Sequence, residues 1–498
     1  MNYFRPLLLS VLVCLTFGLV GSPHNVSAAG GCNRAGTCYP IRHIIIMDKE
    51  NRTFDNMFGT FPGADGTTTY LGLDGRRHPL IHQPDSIPSD IAHTTNDAAL
   101  AYDKGRFDRF GQLRGAYQNG QDMSDSEFYQ TDIPNYWSYA QHFTLEDHFF
   151  STIAGNSFPN HLFTITGQTA NIDSSPSGHL TSWGCDSPRN AFVQQESATG
   201  QLSYAYPCFN FSTIGDEMDK HHIPWTYYAP LQGQSGYIWS AFDAIKHIRY
   251  GPDWTNHMAS DAQFAQDATA GRLPAVSWLV QPFNVSDHPG FSVCAGENWT
   301  VRQINAVMRN WQEWEHTAII LTWDDWGGMY DHLAPPSGPN PLIEYGFRVP
   351  AIIISPYSRP GYIDHTTYQF GSILSFAEHM LNLRPTGPLD RAAKDLLSSF
   401  DFRQTPLSPL LLQQRACPGL NRPSYRPTKM YVAGALGLGA LGGVLLVLST
   451  IAVANNRSRW QQQVRDHSPA VQFIVGAVFL GSVCLYLAYV AQTWNLPH

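Results

Sequence analysis

Two places in the sequence set carboxylates directly behind an apolar run. Ile44, Ile45, Ile46 and Met47 lead into Asp48, Lys49, Glu50, Asn51 and Arg52. Ala318, Ile319, Ile320, Leu321 and Thr322 lead into Trp323, Asp324, Asp325 and Trp326. Adjacent aspartates repel unless a cation, a proton or solvent separates their charges, and flanking tryptophans disfavour a fully solvated turn. Carboxylates and a carboxamide are hard oxygen donors. Glu50, Asn51, Asp324 and Asp325 are therefore candidate ligands of one divalent metal ion. A solvated turn behind a core strand is the alternative at either place alone; the recurrence favours the metal.

A nucleophile and an acid can be placed near that ion. In Ala154-Gly155-Asn156-Ser157-Phe158-Pro159-Asn160-His161 the small residues permit a tight turn. Pro159 suits the first turn of a helix running on through Leu162, Phe163 and Ile165. A hydroxyl at such a helix start lies near unpaired N–H groups that favour phosphate oxygens, so Ser157 is a candidate nucleophile. The simpler role for it is an N-cap. Asp287 and His288 follow the apolar segment Leu273–Val280 in a proline-bounded loop. A histidine there can protonate a leaving group or bind phosphate oxygen.

These residues need a scaffold that brings distant loops together. Apolar runs of strand length without polar alternation fit strands buried on both faces of a parallel sheet. In open α/β sheets the carboxyl ends of the strands form the ligand crevice. Further strands are expected at Trp225–Ala229, Leu273–Val280 and Val349–Ser355, and helices at Thr213–His222, Val301–Trp314 and Phe370–Leu381. Alternating strands and helices indicate an α/β fold with a largely parallel sheet. The stretch from Gly63 to Asp122, rich in Gly, Pro, His and Asp, reads as long loops that line a site.

The 498 residues carry a net charge of -9 and no Lys/Arg cluster, which argues against nucleic acid as a partner. Residues 1–29 read as a signal peptide, with Arg5 before the apolar Leu7 to Val20 and small residues at Ser27-Ala28-Ala29. An exported chain favours disulfides. The expected pairs are Cys32–Cys38 and Cys185–Cys208 as local loops, leaving Cys294–Cys417. Residues 430–454 and 471–491 are each apolar enough for a transmembrane helix, joined by a cytoplasmic loop at 455–470. The expected layout is a catalytic domain at 30–406, outside the cell, a Pro-rich tether at 407–429, and an anchor in the cell membrane.

Several blocks resemble those of the bacterial phospholipase C and acid phosphatase family of phosphoesterases. Glu50-Asn51-Arg52-Thr53-Phe54-Asp55 with Phe58-Gly59 resembles its ENRSFDxxFG signature. AGNSFPNHLF is similar to its nucleophile segment, SDHPG to its Ser-Glu-His-Pro motif, and TWDDWGGMYDHLAPP to its TYDExGGxxDHVxPP motif. RVPAIIISPYSRPGYIDHT matches a further block, and the likeness runs in order from Ile41 to Phe402. The resemblance implies an alkaline-phosphatase-like three-layer α/β/α sandwich. It implies Glu50, Asn51, Asp324 and Asp325 as metal ligands, Ser157 as nucleophile, and His288 and His332 at the phosphate or the leaving group. His288 is the first choice of acid and His332 the second, with Asp287 and Asp331 orienting them. Asp325 stands where the family has Glu, Ser157 where many lipases have Thr, and His161 where many phospholipases have Arg. The expected substrate is a phospholipid. A soluble phosphomonoester is the alternative, as is a binding protein with a degenerate site.

Overall fold

The computed structural model describes residues 38–178, 183–197, 199–337 and 345–418. Eight strands form one sheet: β1 (His43–Lys49), β2 (Thr144–Glu146), β3 (Trp225–Ala229), β4 (Met258–Ser260), β5 (Val276–Leu279), β6 (Thr317–Trp323), β7 (Ala351–Ile354) and β8 (Tyr362–Asp364). Their spatial order is β4-β3-β5-β1-β6-β7-β2-β8. Only β7 runs antiparallel to its neighbours β6 and β2; the remaining pairs are parallel. β1 lies between β5 and β6, and all its residues after His43 are buried, as are all those of β5 and β6. That burial on both faces is why the sequence there is apolar without alternation.

Helices cover both faces of the sheet. On one face Trp278 of β5 donates its indole N–H to the Thr164 carbonyl at 3.0 Å, behind the helix Ser157–Leu162. On the other, Lys49 of β1 lies over the Trp299 ring, 5.2 Å from its centroid, on the helix Val293–Arg309. Ile46 pairs with Trp278 across the β1–β5 ladder. Lys49, three residues further on, therefore points to the opposite side.

The helix expected at Val301–Trp314 is two elements. Ser292 caps the start, its hydroxyl accepting the Ala295 N–H at 3.1 Å, so the helix begins at Val293. Asn310 then caps a separate turn, Trp311–Trp314. The tether expected from 407 does not leave the domain there. Residues 407–418 run along this helix: Asn305 Nδ2 donates to the Leu412 carbonyl at 2.7 Å, and Arg415 Nε to Glu297 Oε2 at 2.6 Å. The Cys294–Cys417 disulfide fastens the same stretch, and Cys185–Cys208 closes a second of the three expected bridges. Cys32 lies outside the described residues, as do the expected signal peptide and both expected membrane spans. Among the described residues no helix is long and apolar enough to cross a membrane.

Candidate active site

β1 and β6 are parallel neighbours, with Lys49 beside Trp323, so the residues leaving both strands meet at one edge. The Asp324 N–H donates to the Lys49 carbonyl at 2.9 Å and carries the ladder one step past the strand. The Asn51 N–H then donates to Asp324 Oδ1 at 2.8 Å. Asn51 adopts a left-handed backbone, φ 59°, which turns its amide into the group. Asn51 Nδ2 reaches Asp325 Oδ1 at 3.1 Å, and the Gly327 N–H reaches the same oxygen at 2.8 Å. A Cβ on Gly327 would stand 2.5 Å from the Asn51 carbonyl oxygen, and φ there is +57°. Only glycine lets the loop pass so close.

The helix Ser157–Leu162 supplies the other half. Asn156 holds the N-cap position and Ser157 is the first helical residue, so the hydroxyl is free of a capping role. It donates instead to Asp325 Oδ2 at 3.1 Å. One turn later His161 enters the acidic group: Nε2 lies 2.9 Å from Glu50 Oε1 and 3.7 Å from Asp324 Oδ2, and Nδ1 lies 3.4 Å from Asp48 Oδ2. All four metal candidates named from sequence are thus brought together beside Ser157.

Burial and mutual repulsion raise the pKa of every carboxylate here. Asp48 and Glu50 lie well above the ordinary range, Asp324 rises to about 6, and Asp325 is also raised. Burial lowers His161 to about 4, so its imidazole does not neutralise them. Both Asp48 oxygens, Glu50 Oε2, Asn51 Oδ1 and Asp324 Oδ2 are buried and make no hydrogen bond among the described residues. Orphaned oxygens in a buried acidic group fit a divalent cation. Glu50, His161 and Asp324 offer ligand atoms within 4.8 Å of one another.

His93 completes the site from a loop that carries no pattern in the sequence. Its Nδ1 donates to the Ile91 carbonyl at 2.6 Å, and Asn51 Nδ2 faces Nε2 at 2.9 Å. Burial opposes charge on this ring. The Asp325 and Asp90 carboxylates outweigh it and raise the pKa to about 9. The His288 ring lies 6.5 Å from that of His93, with Nδ1 2.8 Å from the Pro289 carbonyl and burial lowering its pKa. His93, Ser157, Trp183, Trp239, Phe283 and His288 line one cleft of about 410 Å³.

Three expected roles are not supported by the geometry. Asp287 does not orient His288. It has φ 74°, and its carboxylate lies on the Lys49 side of the sheet. There it accepts from Tyr136 Oη at 2.8 Å and Trp323 Nε1 at 3.2 Å. His332 belongs to a different cluster, with Nδ1 2.7 Å from Asp55 Oδ2 and Nε2 3.3 Å from Asp65 Oδ1. Asp331 is drawn to the buried Arg348, whose Nε donates to it at 3.0 Å. Among the described residues no hydrogen bond or ion pair joins His332 to the Ser157 group. Sequence reading missed Asp48, His93 and His161 as members of the site. Asp48 carried a signal: it is a carboxylate inside an apolar strand, two residues from Glu50 and so on the same side.

This chain belongs to the phosphoesterase family, whose model its residues 41–384 match. It is 26% identical to the non-hemolytic phospholipase C of Pseudomonas aeruginosa, over 74% of this chain and 58% of that protein. It therefore spans less than two-thirds of the length of that relative. It is also 26% identical to phospholipase C A of Mycobacterium tuberculosis, over 76% of this chain and 80% of that one. Among solved structures, a protein in the alkaline phosphatase superfamily from Vibrio parahaemolyticus matches at 12% identity and a TM-score of 0.31, covering 52% of this chain and 62% of that one.

Proposed function

We propose that the chain is a metal-dependent phosphoesterase of the phospholipase C type, cleaving a phospholipid to diacylglycerol and a phospho-headgroup through a phosphoseryl intermediate. The observation that carries this reading is the Ser157 hydroxyl, 3.1 Å from Asp325 Oδ2 and lining the cleft beside the buried acidic group. Glu50, Asn51, Asp324 and Asp325, with His161 beside them, would hold a divalent ion, which when bound supplies positive charge to offset phosphate oxygens. Asp325 takes the Ser157 proton as Oγ attacks phosphorus in line. The bond to the diacylglycerol oxygen breaks, and His288 protonates that oxygen. Water then attacks the phosphoserine, giving a proton to His288 and releasing the phospho-headgroup, while Ser157 recovers its proton from Asp325. The aromatic walls formed by Trp183, Trp239 and Phe283 suit an organic group on the phosphate.

A second reading, an acid phosphatase on soluble monoesters, is favoured by the lowered pKa of His288, which keeps a proton only in acid. Anchorage in the cell membrane with the catalytic domain outside belongs to the same proposal and favours the lipid. Purified protein is assayed on lecithin, p-nitrophenyl phosphorylcholine and p-nitrophenyl phosphate. Turnover of the diesters supports the first reading, turnover of the monoester alone the second, and none at all a degenerate binding site. Ser157→Ala should abolish turnover, and chelation should do so reversibly. Intact turnover in Ser157→Ala would remove the phosphoseryl step.

A further inference from the structure

β2 and β8 are parallel neighbours, with Glu146 beside Asp364. The residues that leave their carboxyl ends are therefore also neighbours: Asp147 and His148 from one strand, His365 from the other. His365 Nδ1 lies 2.9 Å from both oxygens of the Asp147 carboxylate. Asp147, His148 and His365 each offer a ligand atom within 4.8 Å of the others.

Two further features distinguish the group from an ordinary surface ion pair. The Asp147 side chain is 0% exposed, yet among the described residues no ammonium or guanidinium group reaches it. Its side-chain contacts are the His365 ring and the Asp65 N–H, which donates to Oδ2 at 2.8 Å. The nearby Arg348 instead directs NH1 at the backbone carbonyls of Asp65 and Asp147, at 2.6 and 2.8 Å, and so holds both loops in place. The second feature is His148. Its Nε2 lies 3.1 Å from Asp65 Oδ2, while Nδ1 makes no hydrogen bond among the described residues. A carboxylate fixing one imidazole nitrogen and leaving the other to coordinate is the usual support of a histidine ligand.

We infer that Asp147, His148 and His365 bind a divalent transition-metal ion, separate from the acidic group at Ser157, with Asp65 orienting His148. Two imidazoles and one carboxylate form a donor set suited to zinc and its neighbours rather than to magnesium or calcium. Bound there, the ion ties the ends of β2 and β8 to each other.

The test uses the full chain, stripped with a chelator, dialysed against Zn²⁺ and analysed for metal beside the double variant His148→Gln/His365→Gln. The expected result is one equivalent of zinc fewer in the variant, and a rise in Tm with zinc that is larger in the parent. Equal zinc content in the two folded proteins overturns the inference. If the double variant does not fold, His365→Gln, whose side chain is 59% exposed in the parent, is analysed in the same way: lower zinc content and a smaller zinc-dependent rise in Tm than the parent support the second site, and equal zinc content overturns it.

Discussion

Lys49 Nζ lies 3.6 Å from Asp287 Oδ1, and both side chains are fully buried. The pair sits on the side of the sheet opposite His161. Asp48 and Glu50 meet His161, whereas Lys49 between them points to Trp299 and Asp287. Strand alternation thus splits three successive charged residues between a candidate catalytic group and a buried structural pair.

Removing one partner of such a pair leaves the other charge buried and unpaired. Lys49→Met should therefore destabilise the fold by about 3–5 kcal/mol in denaturant titrations. Asp287→Asn should lower stability while leaving the pH dependence of turnover unshifted. An altered acid limb in Asp287→Asn would restore this residue to the proton-transfer chain.

Gly327→Ala places a methyl group 2.5 Å from the Asn51 carbonyl oxygen at a positive φ. The Asn51 loop must move, and the bonds from Asn51 to Asp324 and Asp325 move with it. We expect at least a tenfold loss of turnover, roughly 1.4 kcal/mol or more, with weaker metal retention in equilibrium dialysis. Unchanged metal affinity would mean that the loop absorbs the methyl without disturbing the ligands.

As the leaving-group acid His288 must be protonated, and burial lowers its pKa from the usual 6.5. Turnover should therefore be highest in acid and fall as pH rises through that lowered value. His288→Asn should reduce kcat by about 10²–10⁴-fold and remove the falling limb from the pH profile. Persistence of that limb in the variant would assign it to another group.

Burial and the neighbouring Asp390 carboxylate raise Glu378 to about 9. Unfolded, its pKa returns to 4.5. Across that window the native state holds a proton that the unfolded chain has lost, so stability from this group is full below pH 4.5 and declines as pH rises through about 9. Thermal melts should show Glu378→Gln gaining on the parent between pH 5 and pH 9. A constant difference in Tm over that range would show that Glu378 is not held protonated.

The core strands and much of the acidic site were readable because each rests on local pattern. Trp225–Ala229 and Phe370–Leu381 have the limits that their residues indicate. Glu50 and Asp324 announced themselves as charge set hard against an apolar run. His93 and His161 had no comparable mark, since a histidine in a loop or a short helix looks the same whether it faces solvent or carboxylates. Asp287 and His332 were misjudged for a related reason: both adjoin the right motifs, but adjacency in the chain does not set the direction of a side chain.

The sequence by itself determined an α/β chain, the strands at its centre and the residues that leave their ends, because apolar periodicity and charge are local properties. Tertiary structure decided which of those charges share a space. The parallel register of β1 and β6, the φ of 74° at Asp287 and the helix carrying Ser157 and His161 each act across long stretches of sequence. Through-space distance is what sorts buried carboxylates into metal candidates, ion pairs and hydrogen-bond acceptors, and it is fixed only when the sheet closes.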